Sequence, residues 1–416
     1  MTEHGPKASV VPLAWDDQAL GSIPLPAREL ELFASFGSGL TRRTGDPPDI
    51  VWAVGDRGPN IKPKTLIERY GLDSAKAMHS AGGAKVMPRL DVGPRIAKLR
   101  IHPDRVELVE ELRLQTASGE PVSGLPPPSS EHAKAEPVFD LQGKALPPDP
   151  SGLDTEGIAA CADGSFWVAD EFGPSLVRID GEGRVLTRVV PDDIDFPDAD
   201  YPVQHTLPAV AAKRQLNRGF ECVALSPDGN SLFIAFQSPL AHPDEATHKR
   251  ARHVRLWRLD AQTLKVTAQY AYPFDAPDTF MRDGECGEMD WFDLKVSELV
   301  ALTDDELLVL ERGSLTTKLY RVTLAHDCVL DPRHLETKTA PTLEQLSASG
   351  EPLPQLGKQL IASSDTLRDL VPDLEGMVVL SPTELLLVND NDFGVEGART
   401  SFAKIVFEEP LFPQPA

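Results

Sequence analysis

A short pattern recurs along this chain, and in each copy it leaves an acidic residue at one or both of two fixed places. The copies open at Glu156-Gly157-Ile158, Glu221-Cys222-Val223, Glu298-Leu299-Val300 and Glu375-Gly376-Met377. They close at Asp170-Glu171, Phe236-Gln237, Glu311-Arg312 and Asn389-Asp390-Asn391-Asp392. A weaker first copy runs from Ser38-Gly39-Leu40 to Asp56-Arg57-Gly58. Between the marks lie an apolar run, a polar turn and a second apolar run, which reads as a β-hairpin. A hairpin repeated around a chain predicts an all-β fold, a single β-propeller. Five copies are legible, and a sixth blade drawn from long insertions or from strand exchange between the termini gives an expected count of six.

The hairpin also places the acids. In an antiparallel pair the start of one strand lies beside the end of the next, so Glu156 and Asp170 are expected at one rim. In a propeller the first strand of each blade lines the central channel. Glu156, Glu221, Glu298 and Glu375 are thus expected to share one repeat position and converge on one mouth of the channel. Asp170, Glu171, Glu311, Asp390 and Asp392 form a second set, with candidate roles as general base and other catalytic groups. Carboxylates packed this densely repel one another unless a cation joins them or some stay protonated. Hard oxygen ligands suit Ca²⁺ or Mg²⁺, and flexible many-ligand geometry favours Ca²⁺. The same carboxylates could instead cap backbone N–H groups at strand ends. Arg57 and Arg312 could hold a substrate phosphate or carboxylate, or neutralise the acidic ring.

Composition narrows the partners. The 416 residues carry a net charge of −23, which repels nucleic acid and anionic membranes. A small-molecule substrate and a monomer are expected. No apolar run approaches the length of a membrane-spanning helix. Met1 to Trp15 lacks the cationic and apolar segments of a leader, so the sequence as given points to the cytoplasm, or to the periplasm or exterior if a native leader is missing. The four cysteines contain no Cys-x-x-Cys pair; Cys161 and Cys222 read as buried apolar residues, and a Cys222–Cys286 disulfide is open in an oxidising compartment. His242, His248 and His253 sit among Lys249, Arg250 and Arg252 and read as a solvated basic loop. Residues 1–35 are expected to join the propeller, 36–408 to form it, and 409–416 to be a tail. No Gly-x-Ser-x-Gly elbow, phosphate-binding loop or His-Glu-x-x-His is present.

The corners resemble one family. Asp154-Thr155-Glu156-Gly157-Ile158, Phe166 to Ser175, Asn217-Arg218-Gly219-Phe220-Glu221, Ser226-Pro227-Asp228-Gly229, Phe236 to Leu240, Leu308 to Arg312 and Asn389 to Gly394 are similar to the phytase-like esterase family. The resemblance runs from about Phe36 to Phe407 and implies a propeller with phosphoesterase or phytase-like activity, in a family with many exported members. Cys222 stands where that family often has Gly. A more distant resemblance, Glu-Gly at the start of an inner strand, is to gluconolactonase-type propellers. It implies a Glu-bound divalent cation that polarises a lactone carbonyl. The resulting expectation is a metal-dependent hydrolase of phosphoesters. The alternatives are a lactonase or carboxylesterase, and a non-catalytic binding scaffold with structural calcium.

Overall fold

The computed structural model describes residues 6–131 and 134–413. Five β-sheets of four or five strands stand around one axis. Blade 1 takes Gly39–Thr41, Ile50–Gly55, Arg95–Ile101 and Val106–Arg113 from the axis outward. Blade 2 takes Thr155–Ala160, Phe166–Asp170, Ser175–Ile179 and Val185–Pro191, with Val203–Leu207 added in parallel at its edge. Blade 3 takes Phe220–Leu225, Ser231–Phe236, His253–Asp260 and Val266–Pro273. Blade 4 takes Lys295–Ala301, Glu306–Arg312, Thr317–Thr323 and Lys358–Ser363. Blade 5 takes Leu374–Ser381, Glu384–Asn389 and Phe402–Phe407, and its outermost strand is Ala8–Leu13. Each innermost strand touches those of the blades before and after it, so the ring closes at five.

The expected sixth blade is therefore absent, and the reason is visible in where its material went. Strand exchange between the termini completes the fifth blade, with Ala8 opposite Phe407 and Leu13 opposite Phe402. The insertions that looked able to supply a blade build something smaller. Ala19–Pro24 pairs with Glu29–Phe33, and Lys85–Val86 pairs in parallel with Val138–Phe139. With the helix Pro63–Glu68, which has Pro in its first turn, they bury Leu30, Leu32, Ile61, Leu66 and Tyr70 against Phe393 and Val395. This satellite core sits beside the acidic corners. The insertion after Leu324 also holds Lys358–Ser363, the outer strand of blade 4.

The blades pack through β-branched and aromatic side chains that alternate along the strands. Phe220 and Phe236 each meet Trp257 edge to face in blade 3 and lie tilted to one another, with centroids 4.8 to 6.0 Å apart. The hairpin turns follow the sequence signal: Gly164 and Gly229 both sit at positive φ after an Asp.

Two expectations outside the blades need correction. The histidine loop is not a solvated run. Asp244 caps the short helix Glu245–His248 by accepting from Thr247 N at 2.7 Å, and His242 and His248 are buried. The His248 ring shares a 2.6 Å hydrogen bond with the Pro239 carbonyl. All four cysteines are free; Cys222 is buried and Cys286 exposed, so the open disulfide is not formed. No helix among the described residues is long and apolar enough to cross a membrane.

Candidate metal centre at the acidic mouth

Four of the five inner strands, those of blades 2 to 5, begin with the same irregularity. Register slips by one residue between Thr155 and Ile158, Phe220 and Cys222, Val296 and Glu298, and Leu374 and Gly376. A bulge of this kind re-aims a side chain. Aligned on it, Glu156, Glu221 and Glu375 share one position, and the fourth occupant is Ser297. Glu298 lies one residue further, level with Gly157, Cys222 and Gly376. The shared repeat position expected for Glu298 is thus corrected by the register. A Cβ on Gly157 would lie 2.6 Å from the Cys222 backbone, which explains why small residues suit this level. Gly157→Ala is expected to cost about 1–3 kcal/mol by overpacking, measured by denaturant unfolding; an unchanged midpoint would refute that close approach.

Glu298 fills its larger space in another way. Its carboxylate accepts Leu40 N of blade 1 and Leu299 N, both at 3.0 Å, so it reaches past blade 5 across the axis. It is fully buried, and that burial holds its pKa well above the usual carboxylate range. Glu298 forms a floor between the two ends of the channel.

The second strand of each hairpin sorts its acids by alternation. Asp170, Phe236, Glu311 and Asn389 face Thr155, Phe220, Val296 and Leu374. These side chains turn into the blade. Asp170 accepts from Asp154 N, Phe172 N, the Ser175 hydroxyl and Arg188. Glu311 accepts from Tyr272, Lys358 and Asp275 N. The following residues, Glu171, Gln237, Arg312 and Asp390, turn to the mouth. Gln237 donates to Glu221 at 2.7 Å, and Arg312 pairs with Glu375 and with Asp373 at 3.0 Å. Arg312 Nε also donates to Ser297 at 3.0 Å. Asp390 accepts from the Ser35 hydroxyl at 2.6 Å. Asp392 stands exposed, with a left-handed backbone.

The tightest acidic group is Asp154, Glu156 and Glu171, each offering a carboxylate oxygen within 4.8 Å of the others. Arg57 braces it from behind. Its guanidinium meets Glu136 at 2.6 Å, Asp154 at 3.2 Å and Asn217 at 2.6 Å, and it lies over the Phe172 ring. Both arginines of the sequence reading are thus held by carboxylates of this mouth. Burial pushes Asp154 and Glu171 up to about 7, with neighbouring acids adding to the rise. Burial, then Glu221, pushes Glu156 well above its ordinary value. Burial, then Asp390 and Asp154, does the same to Asp56. On the far side Lys295 is lowered to about 8, first by the adjacent Arg312 charge.

These residues fit a hard divalent cation. The donors are all carboxylate oxygens, and one of them, Asp154 Oδ2, is already met by Arg57 Nε at 3.2 Å without a formed hydrogen bond. Three carboxylates so close stay ionised together at neutral pH only if positive charge joins them. Asp154 was missed as a site residue in the sequence reading, although a signal existed: Asp154-Thr155-Glu156 and Asp373-Leu374-Glu375 repeat an Asp-x-Glu pattern. Glu136, from a Pro-rich loop without period, carries no such signal.

A secreted protein of uncharacterised function from Arthroderma benhamiae is 27% identical over an alignment of 252 residues, and the match covers 53% of this chain. The match spans 46% of that relative, so the chain covers about half the length of the curated relative it matches. Among solved structures, a protein of unknown function from Bacteroides caccae aligns over 71% of this chain and 61% of its own, at 9% identity and a TM-score of 0.29. A nidogen/laminin complex aligns over 77% of each chain, at 11% identity and a TM-score of 0.31. The model of the phytase-like family, described as esterase-like activity of phytase, matches residues 33–393, and with that span the chain belongs to the phytase-like family.

Proposed function

We propose that this protein is a metal-dependent hydrolase that acts on a small phosphoester at the acidic mouth of its channel. The observation that carries the reading is the convergence of Asp154, Glu156 and Glu171 within 4.8 Å. These three would hold the cation, Ca²⁺ by the character of the donors, with Glu221 and Glu375 completing the acidic ring. When bound, the cation would supply charge to substrate oxygens and lower the pKa of a water. Arg57 fixes the position of Asp154, and Arg312 fixes Glu375. Asp390 is the proposed base. Its pKa is raised to about 6, first by burial and then by Asp392, near the value that suits proton transfer at neutral pH. Oδ1 of Asp390 is engaged by Ser35 and Asp392 N, which leaves Oδ2 to take a proton.

A second reading is hydrolysis of a carboxylic ester or lactone. It is favoured by Arg57 and Arg312, whose guanidiniums are already occupied by carboxylates and so offer little to a phosphate. The secreted relative favours export of this protein as well.

A panel of phosphoesters, aryl esters and lactones, assayed with Ca²⁺ and with EDTA, separates the readings. Phosphoester turnover that vanishes in EDTA and returns with Ca²⁺ is expected. Asp390→Asn is expected to lower kcat by about 10²–10⁴-fold, the usual weight of a general base. Turnover that persists in metal-free protein would discard the mechanism, and no turnover of any ester with metal present would leave the binding scaffold.

A further inference from the structure

The far end of the channel, below Glu298, has a different chemistry. A cavity of about 500 Å³ opens there. Every blade lends apolar residues to its wall, among them Leu40, Ile158, Val223, Leu299 and Val378. Thr41, Thr44, Ser226 and Gln262 add polar groups around that apolar ring, and a pocket of this volume is the usual size of a small-molecule site. The rim carries two arginines and two aspartates, Arg42, Arg178, Asp163 and Asp228, and they are satisfied differently. Asp163 is paired with Arg178 at 2.8 Å. Asp228 is held within its own turn by Ser226 and Asn230. Arg42 is left: among the described residues no carboxylate pairs with it, its Nε is buried with no hydrogen bond, and its one polar contact is the Pro48 carbonyl at 3.4 Å.

We propose that this second mouth binds a small amphipathic carboxylate, with its hydrocarbon body among the inner strands and its carboxylate on Arg42. The apolar wall sets the body, and the uncompensated guanidinium sets the sign of the head group. Glu298 keeps the ligand from the acidic mouth, since its carboxylate bonds Leu40 N and Leu299 N at the bottom of the cavity. The site is independent of the hydrolase reading, because none of its residues belongs to the acidic ring.

Titration calorimetry with octanoate and with octanol tests the assignment. Octanoate is expected to bind saturably at one site, about tenfold or more tighter than octanol, the weight of one charge-assisted contact. Arg42→Gln should remove that preference, because the two probes share the same body. Ala301→Trp, which fills the cavity, should abolish binding of both, and Glu156→Gln should change neither. No saturable binding, equal affinity for the two probes, or octanoate affinity unchanged in Arg42→Gln would each overturn the proposal. If Ala301→Trp melts early, the octanol comparison and Arg42→Gln still decide it.

Discussion

Asp170→Asn and Arg188→Ala are each expected to destabilise the protein by about 3–5 kcal/mol, the cost of leaving one member of a buried ion pair without the other. Both side chains are 0% exposed and lie 2.7 Å apart. Arg188 also donates to Ser175 Oγ at 2.8 Å and to the Phe172 carbonyl at 2.6 Å, and its guanidinium lies over the Phe196 ring. Asp170 in turn anchors the backbone of Asp154 and Phe172, which flank the acidic mouth. Deleting either partner therefore leaves a charge in the dry interior of blade 2 and loosens the corner that positions Asp154. Urea unfolding reads the loss. A double variant, Asp170→Leu with Arg188→Met, should recover part of it, because two apolar groups leave no charge behind. Single variants within about 1 kcal/mol of the parent protein would mean that the pair is not dry in solution.

The second large effect is on metal and pH together. The carboxyls of Asp154 and Glu171 have pKa values of about 7 in the folded chain, against about 4 when unfolded. A group whose folded pKa is raised lends stability below its unfolded pKa and loses it as pH rises through the folded value. Metal-free protein should accordingly lose stability between about pH 4 and pH 7. A cation that binds the ionised carboxylates should restore it, by about 2.7 kcal/mol at a hundredfold excess over Kd. Differential scanning calorimetry should show a Ca²⁺-induced rise in Tm at pH 8 that is nearly absent at pH 5. Glu156→Gln should shrink the rise by removing one ligand charge while keeping the fold. A rise of equal size at both pH values, or one untouched in Glu156→Gln, would remove these residues from the metal centre.

The propeller was legible because its hairpins are local: Asp163-Gly164 and Asp228-Gly229 mark turns within fifteen residues of the corners they bring together. The blade count was not, because Ala8–Leu13 has an ordinary strand pattern and its partner is almost the whole chain away. The direction of each acid was half legible. Spacing put Asp170 and Glu311 at the right corner, yet alternation sends them into the blades, and Glu171 and Asp390 to the mouth. The one-residue displacement of Glu298 was hidden because a bulge leaves no mark in composition. Only the pairing of Val296 with Glu311 and of Glu298 with Leu310 exposes it. Arg57 could be found from its motif, but its partner Glu136 comes from a loop whose placement depends on tertiary packing alone.

The joining of both ends in blade 5 has a consequence for synthesis. Ala8–Leu13 leaves the ribosome long before its partner Phe402–Phe407, with blades 1 to 4 made between them. Until then the early strand has no edge to add to, and the ring stands open between blade 4 and blade 1. An exposed strand and an open sheet edge recruit other chains. A nascent chain of this protein should therefore expose an unpaired strand until Phe402–Phe407 is made, and a stop codon ahead of residue 402 should give aggregates rather than a shorter, soluble propeller.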